Sequence, residues 1–226
     1  WASNTTVQVT ATNSPIEVEW MSDSDVYKPI MASKAKIALH KIAGDYLPRF
    51  TSAGQFEYQA RLRYRRNGES TLNDYWCGFI QSSDGSESVS STSPTTTFIA
   101  IDNLGGMEDT TVNVSVDSLT PINLFDKVLE AIRQTGLDLP VLLDSGIRNS
   151  SGEALNDVTA HPYSLFDTDK DNINPEYRSK LTSKNMIEGL LSAFNCRIFQ
   201  SYGNWFIVNA STHGGTGANE TATFTK

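Results

Sequence analysis

Apolar and polar residues alternate along the first half of the chain, which is the pattern of β-strands with one buried face. The longest alternating set runs from Phe56 to Tyr64, and the turn pair Asn67-Gly68 follows it. The other alternating sets are Val7 and Val9; Ile16, Val18 and Trp20; Ala35, Ile37 and Leu39; Tyr75 to Ile80; Thr97 to Ile101; and Val112 to Val116. The segment 82–96 is rich in Ser, Thr and Gly and predicts an exposed loop. Several short strands at this spacing predict a β-sandwich or a small β-barrel.

The spacing of apolar residues becomes helical after residue 119. Thr120 predicts an N-cap, Pro121 suits the first helical position, and Gly136 predicts the stop of this first helix. The apolar run Val141 to Leu143 then predicts a short strand. This change in period places a domain boundary near residue 119.

The last part of the chain predicts a second helix and an antiparallel hairpin. Residues 144–180 are polar and irregular, and we expect a helix to begin near Thr182 or Ser183. The alternation from Cys196 to Ser201 predicts a strand that turns at Tyr202-Gly203-Asn204 and returns from Trp205 to Val208. The Gly- and Thr-rich stretch 211–220 predicts another loop.

Together these patterns predict an α+β fold that is mainly β. Residues 1–118 are expected to form a β-barrel or sandwich domain, and residues 119–226 a smaller α+β domain with two helices and a hairpin. The chain begins with Trp1 rather than Met and stops within the strand-like alternation Thr221 to Lys226. We therefore expect it to be a fragment or a processed form, with more chain beyond residue 226.

The charge balance narrows the range of partners. The 226 residues carry a net charge of -8, so broad non-specific binding to nucleic acid or to an anionic membrane is not expected. The only basic cluster is formed by Arg61, Arg63, Arg65 and Arg66, and its alternation with Leu62 and Tyr64 predicts the wet face of a strand. No apolar run approaches the roughly 20 residues that a membrane-spanning helix needs, and no signal peptide is visible.

The two cysteines give no sign of a disulfide framework. Cys77 and Cys196 lie far apart in the sequence and each stands near apolar residues. We interpret them as buried free thiols.

Residues that could carry chemistry are few and scattered. The three histidines, His40, His161 and His213, have no second His or Cys at metal-ligand spacing. The alternating acids Asp167, Asp169 and Asp171 resemble the start of a calcium loop, but Asn172 and Arg178 stand where an EF-hand needs Gly and Glu. Whether that loop binds a cation stays open. Otherwise we expect no catalytic, cofactor-binding or metal-binding residue, and no enzymatic activity.

Several segments of the first half resemble one protein family in order and spacing. They begin with Ser14 to Trp20 and include Val26 to Ile30 and Tyr46 to Phe50, and after the long strand comes the aromatic-glycine strand Tyr75 to Ile80. The segment Ala100-Ile101-Asp102-Asn103-Leu104-Gly105 is similar to the family's usual Ala-Thr-Asp-Gly-Leu-Gly, from which Ile101 and Asn103 depart. The family is the tail-tip hub proteins of tailed phages and prophages, related to baseplate hubs.

The second half carries the same resemblance. Leu124 to Leu139 is similar to the family's first helix, and Met186 to Val208 is similar to its helix and hairpin, with Phe194 to Arg197 and Gly203 to Trp205 as the matching motifs. The likeness covers residues 14–210, although 144–180 has no quotable match.

The resemblance implies a structural role in the virion, in a ring that surrounds the channel at the distal end of the tail tube. Its β domains would pair side by side with threefold or pseudo-sixfold symmetry, most simply as a trimer. Its partners would be further copies of the chain and tube, distal tail, fibre or spike proteins, with DNA only as passing cargo. An acidic lumen would repel that DNA during ejection.

Two other functions are compatible with the sequence. A carbohydrate- or receptor-binding β module could stack sugars on exposed aromatics such as Trp1, Trp76 or Trp205, although each also fits a core or interface position. A tail-associated hydrolase would need a pair of ionisable residues, and the sequence nominates none. Self-association into rings separates the hub from both alternatives.

Overall fold

The computed structural model describes residues 10–20, 28–40, 56–81, 86–87, 95–114, 120–144, 146–165, 181–210 and 221–224. In this part of the chain the fold is α+β and mainly β, as predicted. Its sheets are open, so the closed barrel, one of the two architectures that the alternation allows, is not the one adopted.

The strands and helices follow the chain in this order: β1 Thr10–Trp20, β2 Ile30–Met31, β3 Ser33–His40, β4 Gln59–Tyr64, β5 Asn73–Ile80, β6 Ser86–Glu87, β7 Thr95–Ile101, β8 Ile122–Asn123, α1 Leu124–Arg133, β9 Val141–Asp144, β10 Thr159–Ala160, α2 Ser183–Ala193, β11 Cys196–Ser201, β12 Asn204–Asn209 and β13 Thr221–Phe224. Short 3-10 helices cover Gly105–Asp109, Leu155–Asp157 and Pro162–Leu165.

The first sheet has the strand order β1-β3-β7-β5-β4, all antiparallel, and β6 also pairs with β7. One of its faces is lined by a fully buried Trp76, which packs among small residues. Gly78 lies under the Trp76 ring, and a Cβ at this position would come within 2.5 Å of the Ile101 carbonyl oxygen. The glycine of the aromatic-glycine strand is therefore required for close packing between the indole and the sheet.

The second sheet has the order β13-β9-β12-β11-β2 and packs with α1 and α2. Its hairpin of β11 and β12 turns at Tyr202 and Gly203, whose φ values of 45° and 69° fit a type I′ turn. The predicted strand near Val141 and the predicted hairpin are both confirmed. Strand β2 comes from the first half of the chain, yet it pairs in parallel with β11 of the second sheet.

Both helices are confirmed, but the first begins later than predicted. Asn123, not Thr120, is its N-cap and accepts from the backbone N–H groups of Phe125 and Asp126. The two residues before the helix form β8, which pairs with β10. This pairing keeps Pro121 outside the helix. The second helix begins after Thr182, which accepts from the N–H of Asn185.

Two predictions in the first half differ from the structure. Thr111 forms only an isolated bridge with Thr182, and residues 112–114 form no strand, although Val112 and Val114 are buried in the core. The predicted loop 82–96 contains β6 and the start of β7. The alternating pair Val7 and Val9 and the loop 211–220 lie outside the described residues.

The main core draws on both halves of the chain. Cys77, Phe79, Leu104 and Met107 from the first half belong to the same buried cluster as α1, α2 and the second sheet. The proposed boundary near residue 119 thus lies between segments that share a core, and the division into domains 1–118 and 119–226 stays a prediction.

Candidate functional site

A buried side chain joins the two sheets, although the strand pairing within each sheet does not involve it. Gln200 on β11 is fully buried, and its amide bonds both backbone groups of Cys77 on β5. The Cys77 N–H donates to Gln200 Oε1 at 2.6 Å, and Gln200 Nε2 donates to the Cys77 carbonyl oxygen at 2.8 Å. Strand β7 pairs with β5 only at Phe79 and Ile80, so the backbone groups of Cys77 have no partner on β7. The Gln200 amide takes the place of that partner.

A third contact reaches the same residue from β1. Trp20 Nε1 donates to the Gln200 carbonyl oxygen at 2.9 Å. Next to it, the β11–β12 turn lies against β5, because a Cβ on Gly203 would come within 2.8 Å of the Asp74 Cβ. The two sheets are therefore held at a fixed geometry by Gln200 and by a close backbone contact.

A second buried network lies at the end of β7. Trp76 Nε1 donates to Ser33 Oγ at 2.8 Å, and Ser33 Oγ donates to Asp102 Oδ2 at 2.6 Å. The Asp102 carboxylate also accepts from the backbone N–H groups of Ser33 and Leu104. Burial raises the pKa of Asp102 to about 6, and the hydrogen bonds from Ser33 and Leu104 act in the opposite direction.

The Asp102 network borders a cavity of about 400 Å³. Lys28, Lys184 and Glu188 contribute charges of both signs to its lining. Lys184 is already paired with Glu108 at 2.8 Å, and the Asp102 oxygens are hydrogen-bonded to the protein. The lining carries charges of both signs, and Lys184 and Asp102 already have partners within the protein. The cavity therefore does not indicate a particular class of ligand.

Only two of the histidines and none of the alternating acids noted in the sequence lie within the described residues. His40 ends β3 and His161 precedes the 3-10 helix of Pro162–Leu165, while His213 lies outside the described residues. The acids Asp167, Asp169 and Asp171 also lie outside them. Within the ranges that the structure covers, no three His, Cys, Asp or Glu side chains are grouped so that they could hold a metal ion.

Both thiols are buried and unbridged, as predicted. Burial raises the pKa of Cys77, against the lowering effect of the nearby Arg61, and burial together with Asp144 raises the pKa of Cys196 to about 12. Neither thiol is suited to act as a nucleophile.

Two of the three tryptophans that a sugar-binding module could expose are in the core. Trp76 and Trp205 both have 0% exposure, which confirms the core interpretation for these two, and Trp1 lies outside the described residues. Among the described aromatic residues, Phe56 and Tyr202 are exposed, and Tyr202 meets the half-buried Tyr64 and Tyr75 edge to face, with ring centroids 5.7–6.1 Å apart.

Charged side chains cover the outer strands of the first sheet. Arg61, Arg63, Arg65 and Arg66 are exposed, which confirms the wet strand face, and both Arg61 and Arg63 pair with Asp74. At the other end of the sheet, Glu19 pairs with Lys34. The part of the chain under description holds no helix with the length and apolar character needed to cross a bilayer.

Sequence reasoning missed Gln200 at the joint and Ser33 in the Asp102 network. Gln200 looks like an ordinary polar residue of an alternating strand, and Ser33 like the start of another. Cys77, Asp102 and Gly203 had a signal only through their places in the segments Tyr75 to Ile80, Ala100 to Gly105 and Gly203 to Trp205.

Solved structures that are similar to this chain include two prophage tail proteins. No protein-family model and no curated protein matches the chain. The 43 kDa tail protein of prophage MuSo2 from Shewanella oneidensis aligns over 86% of this chain and 50% of its own, with 11% identity and a TM-score of 0.43. The prophage tail protein gp18 from Listeria monocytogenes EGD-e aligns over 85% of this chain and 43% of its own, with 10% identity and a TM-score of 0.37. The chain spans half or less of the length of these two proteins, to which it is similar in fold.

Proposed function

We propose that this chain is a non-enzymatic structural protein of a phage tail, and more specifically part of the tail-tip or baseplate hub. It would form a ring around the tail channel and connect the tail tube to distal tail proteins. The resemblance of segments 14–210 to that family, in order and spacing, is the starting point.

The observation that carries the proposal is the position of the resembling segments in the fold. The strand Tyr75 to Ile80 supplies Cys77, and the β11–β12 turn supplies Gly203, to the joint between the sheets. The same strand supplies Trp76 and Gly78, and the segment Ala100 to Gly105 supplies Asp102, to the packing and hydrogen bonds within the first sheet. The motifs thus hold the first sheet together and fix it against the second. Such a joint suits a protein that must hold its shape within an assembly.

The open first sheet supports self-association. Its outer strands β1 and β4 each pair on one side only among the described strands, so copies of the chain can complete them. A closed ring of three copies, or a pseudo-sixfold ring if each copy contributes two similar β domains, would surround the channel. The net charge of -8 suits a lumen that DNA passes without binding.

The mass of the purified chain in solution tests this proposal. We expect closed rings, most simply trimers, in native mass spectrometry and in class averages of negatively stained particles. A chain that stays monomeric at high concentration and binds sugars would instead support the carbohydrate- or receptor-binding module.

The acidic lumen is tested separately by a map of the assembled tail tip. Acidic side chains should be concentrated on the channel wall. If they cover mainly the outside of the ring, the lumen hypothesis fails while the ring itself stands.

A further inference from the structure

The two outer strands of the first sheet have complementary surfaces. Glu17 and Glu19 on β1 are exposed, and Arg61 and Arg63 on β4 are exposed at the opposite end of the sheet. Among the described strands, β1 and β4 each pair on one side only, and a strand with such an edge can pair with a strand of another copy.

These opposite charges lie on the same face of the sheet. The register aligns Glu19 with Lys34, Lys34 with Ile101, Ile101 with Phe79, and Phe79 with Gln59. Arg61 is two residues beyond Gln59 and therefore points to the same side.

At each end of this face, neighbouring strands also carry charges of opposite sign. Lys34 and Lys36 on β3 lie beside Glu19 and Glu17 on β1, and at the other end Asp74 on β5 lies beside the arginines of β4. A neighbour's β4 placed next to β1 would give the order Asp74, arginines, glutamates, lysines across the contact, with opposite signs on each pair of adjacent strands. Two β1 strands, or two β4 strands, would instead bring like charges together.

The other face of the same strands is apolar. Ile16 is 48% exposed on β1, and Val18 beside it is half-buried. Leu62 is half-buried on β4 and shares the face of Val18, because both pack against the Trp76 cluster. Pairing the two strands would cover these side chains and would also place the acids of β1 beside the arginines of β4.

We propose that β1 of one copy pairs with β4 of the next copy, a pairing that rests on the ring proposed above. All neighbours in the order β1-β3-β7-β5-β4 are antiparallel, so β1 and β4 run in the same direction, and rotation about the ring axis makes the new ladder parallel. The contact is head-to-tail, which generates a ring where the rotation closes.

A definite register follows from the same alignment. Glu19 lies level with Gln59, and Arg63 is four residues further along β4. A stagger of that size places Glu17 opposite Arg61 and Glu19 opposite Arg63. In an eight-stranded barrel of shear 8, the stagger is about one residue per strand. Each copy adds the five strands of this order, so a stagger of this size between copies is compatible with closure.

Charge reversal at each edge tests the pairing. The acid-reversed variant carries Glu17→Lys and Glu19→Lys, and the base-reversed variant carries Arg61→Glu and Arg63→Glu. Each should weaken self-association by at least about tenfold in analytical ultracentrifugation, because like charges would then face each other. A chain with all four substitutions restores opposite charges and should recover the assembly.

A matched control changes the same amount of charge elsewhere. Glu153 and Asp157 are exposed and lie outside both strands, so Glu153→Lys with Asp157→Lys should assemble as the unaltered chain does. Circular dichroism checks that every variant is folded.

A crosslink gives a second measurement that does not depend on charge. In a chain with Val18→Cys and Leu62→Cys, mild oxidation should give a ladder of linked copies on a non-reducing gel. The native thiols Cys77 and Cys196 are buried and should stay out of the reaction.

The outcomes separate this pairing from the ring itself. If the unaltered chain forms rings, yet both reversed variants assemble equally well or the engineered cysteines give no ladder, the strand pairing is wrong and the ring stands. If the unaltered chain is monomeric throughout, both proposals fail. Loss of assembly in the reversed variants that the fourfold variant does not recover also overturns the pairing.

Discussion

Gln200→Leu tests how the two sheets are joined. Leucine has a similar size but no amide, so the substitution removes the two hydrogen bonds to Cys77 and keeps the site filled. Gln200 is fully buried and Cys77 is 1% exposed, so water has no ready access to replace the lost partners. The Cys77 N–H and C=O groups would both be left unsatisfied on that side.

The size of the effect follows from those two groups. Each buried polar group that loses its partner costs about 1–3 kcal/mol, and the apolar leucine recovers roughly 1 kcal/mol of transfer free energy. We expect the free energy of unfolding to fall by about 3 kcal/mol. For a chain of this length that corresponds to a melting temperature lower by about 10 °C.

Urea unfolding followed by tryptophan fluorescence measures this change, because Trp20 lies at the joint and Trp76 is buried next to Cys77 in the first sheet. Gln59→Leu is the matched control, since the same substitution at an exposed position should change the free energy of unfolding by no more than about 0.5 kcal/mol. The reasoning is refuted if Gln200→Leu is as stable as the control. That result would mean that the joint is hydrated or that the sheets separate without cost.

Three further predictions concern the same core. Gly78→Ala should destabilise the protein by about 3 kcal/mol in the same urea assay, because the new methyl group meets the Trp76 ring and the Ile101 carbonyl; unchanged stability would show that the strand shifts freely. Asp102 favours folding while it is protonated, since its pKa is raised from 3.8 to about 6. Its contribution is therefore full below about pH 4 and is lost as the pH rises to about 6, a change of about 3 kcal/mol. Asp102→Asn should remove this slope, which unfolding curves of both proteins between pH 4 and 7 measure, and parallel profiles would contradict it. Cys77 and Cys196 should react with a thiol reagent only after unfolding, and rapid labelling of the native protein would show that the core opens.

Local patterns were enough to predict most of the regular elements. The alternation around Val18 and Ile37 predicts β1 and β3, because a strand with one buried face must repeat every two residues. Thr182 and the turn at Gly203 predict a helix start and a hairpin from the chemistry of caps and left-handed turns. Each of these signals acts over a few residues, so the sequence alone contains it.

Long-range pairing overrode the local signal in other places. Thr120-Pro121 has the chemistry of a helix start, but the pairing of β8 with β10 keeps the next two residues extended. The helix therefore begins later, and Asn123 is its N-cap. Val112 and Val114 alternate like a strand, yet they reach the core without a strand ladder. A period of two reports which side chains are buried, and it does not report whether a neighbouring strand is present.

The joint and the sheet edges depend on the tertiary structure. Nothing near Gln200 in the sequence indicates that its amide meets Cys77, 123 residues away, where β7 stops pairing with β5. In the same way, the acids of β1 and the arginines of β4 become the two ends of one sheet only through its strand order. The sequence by itself determined the elements and their buried faces, because those follow from the spacing of apolar residues. Only the tertiary structure decided which polar groups meet across the core and which strands are left at the edges, because these depend on contacts between distant segments.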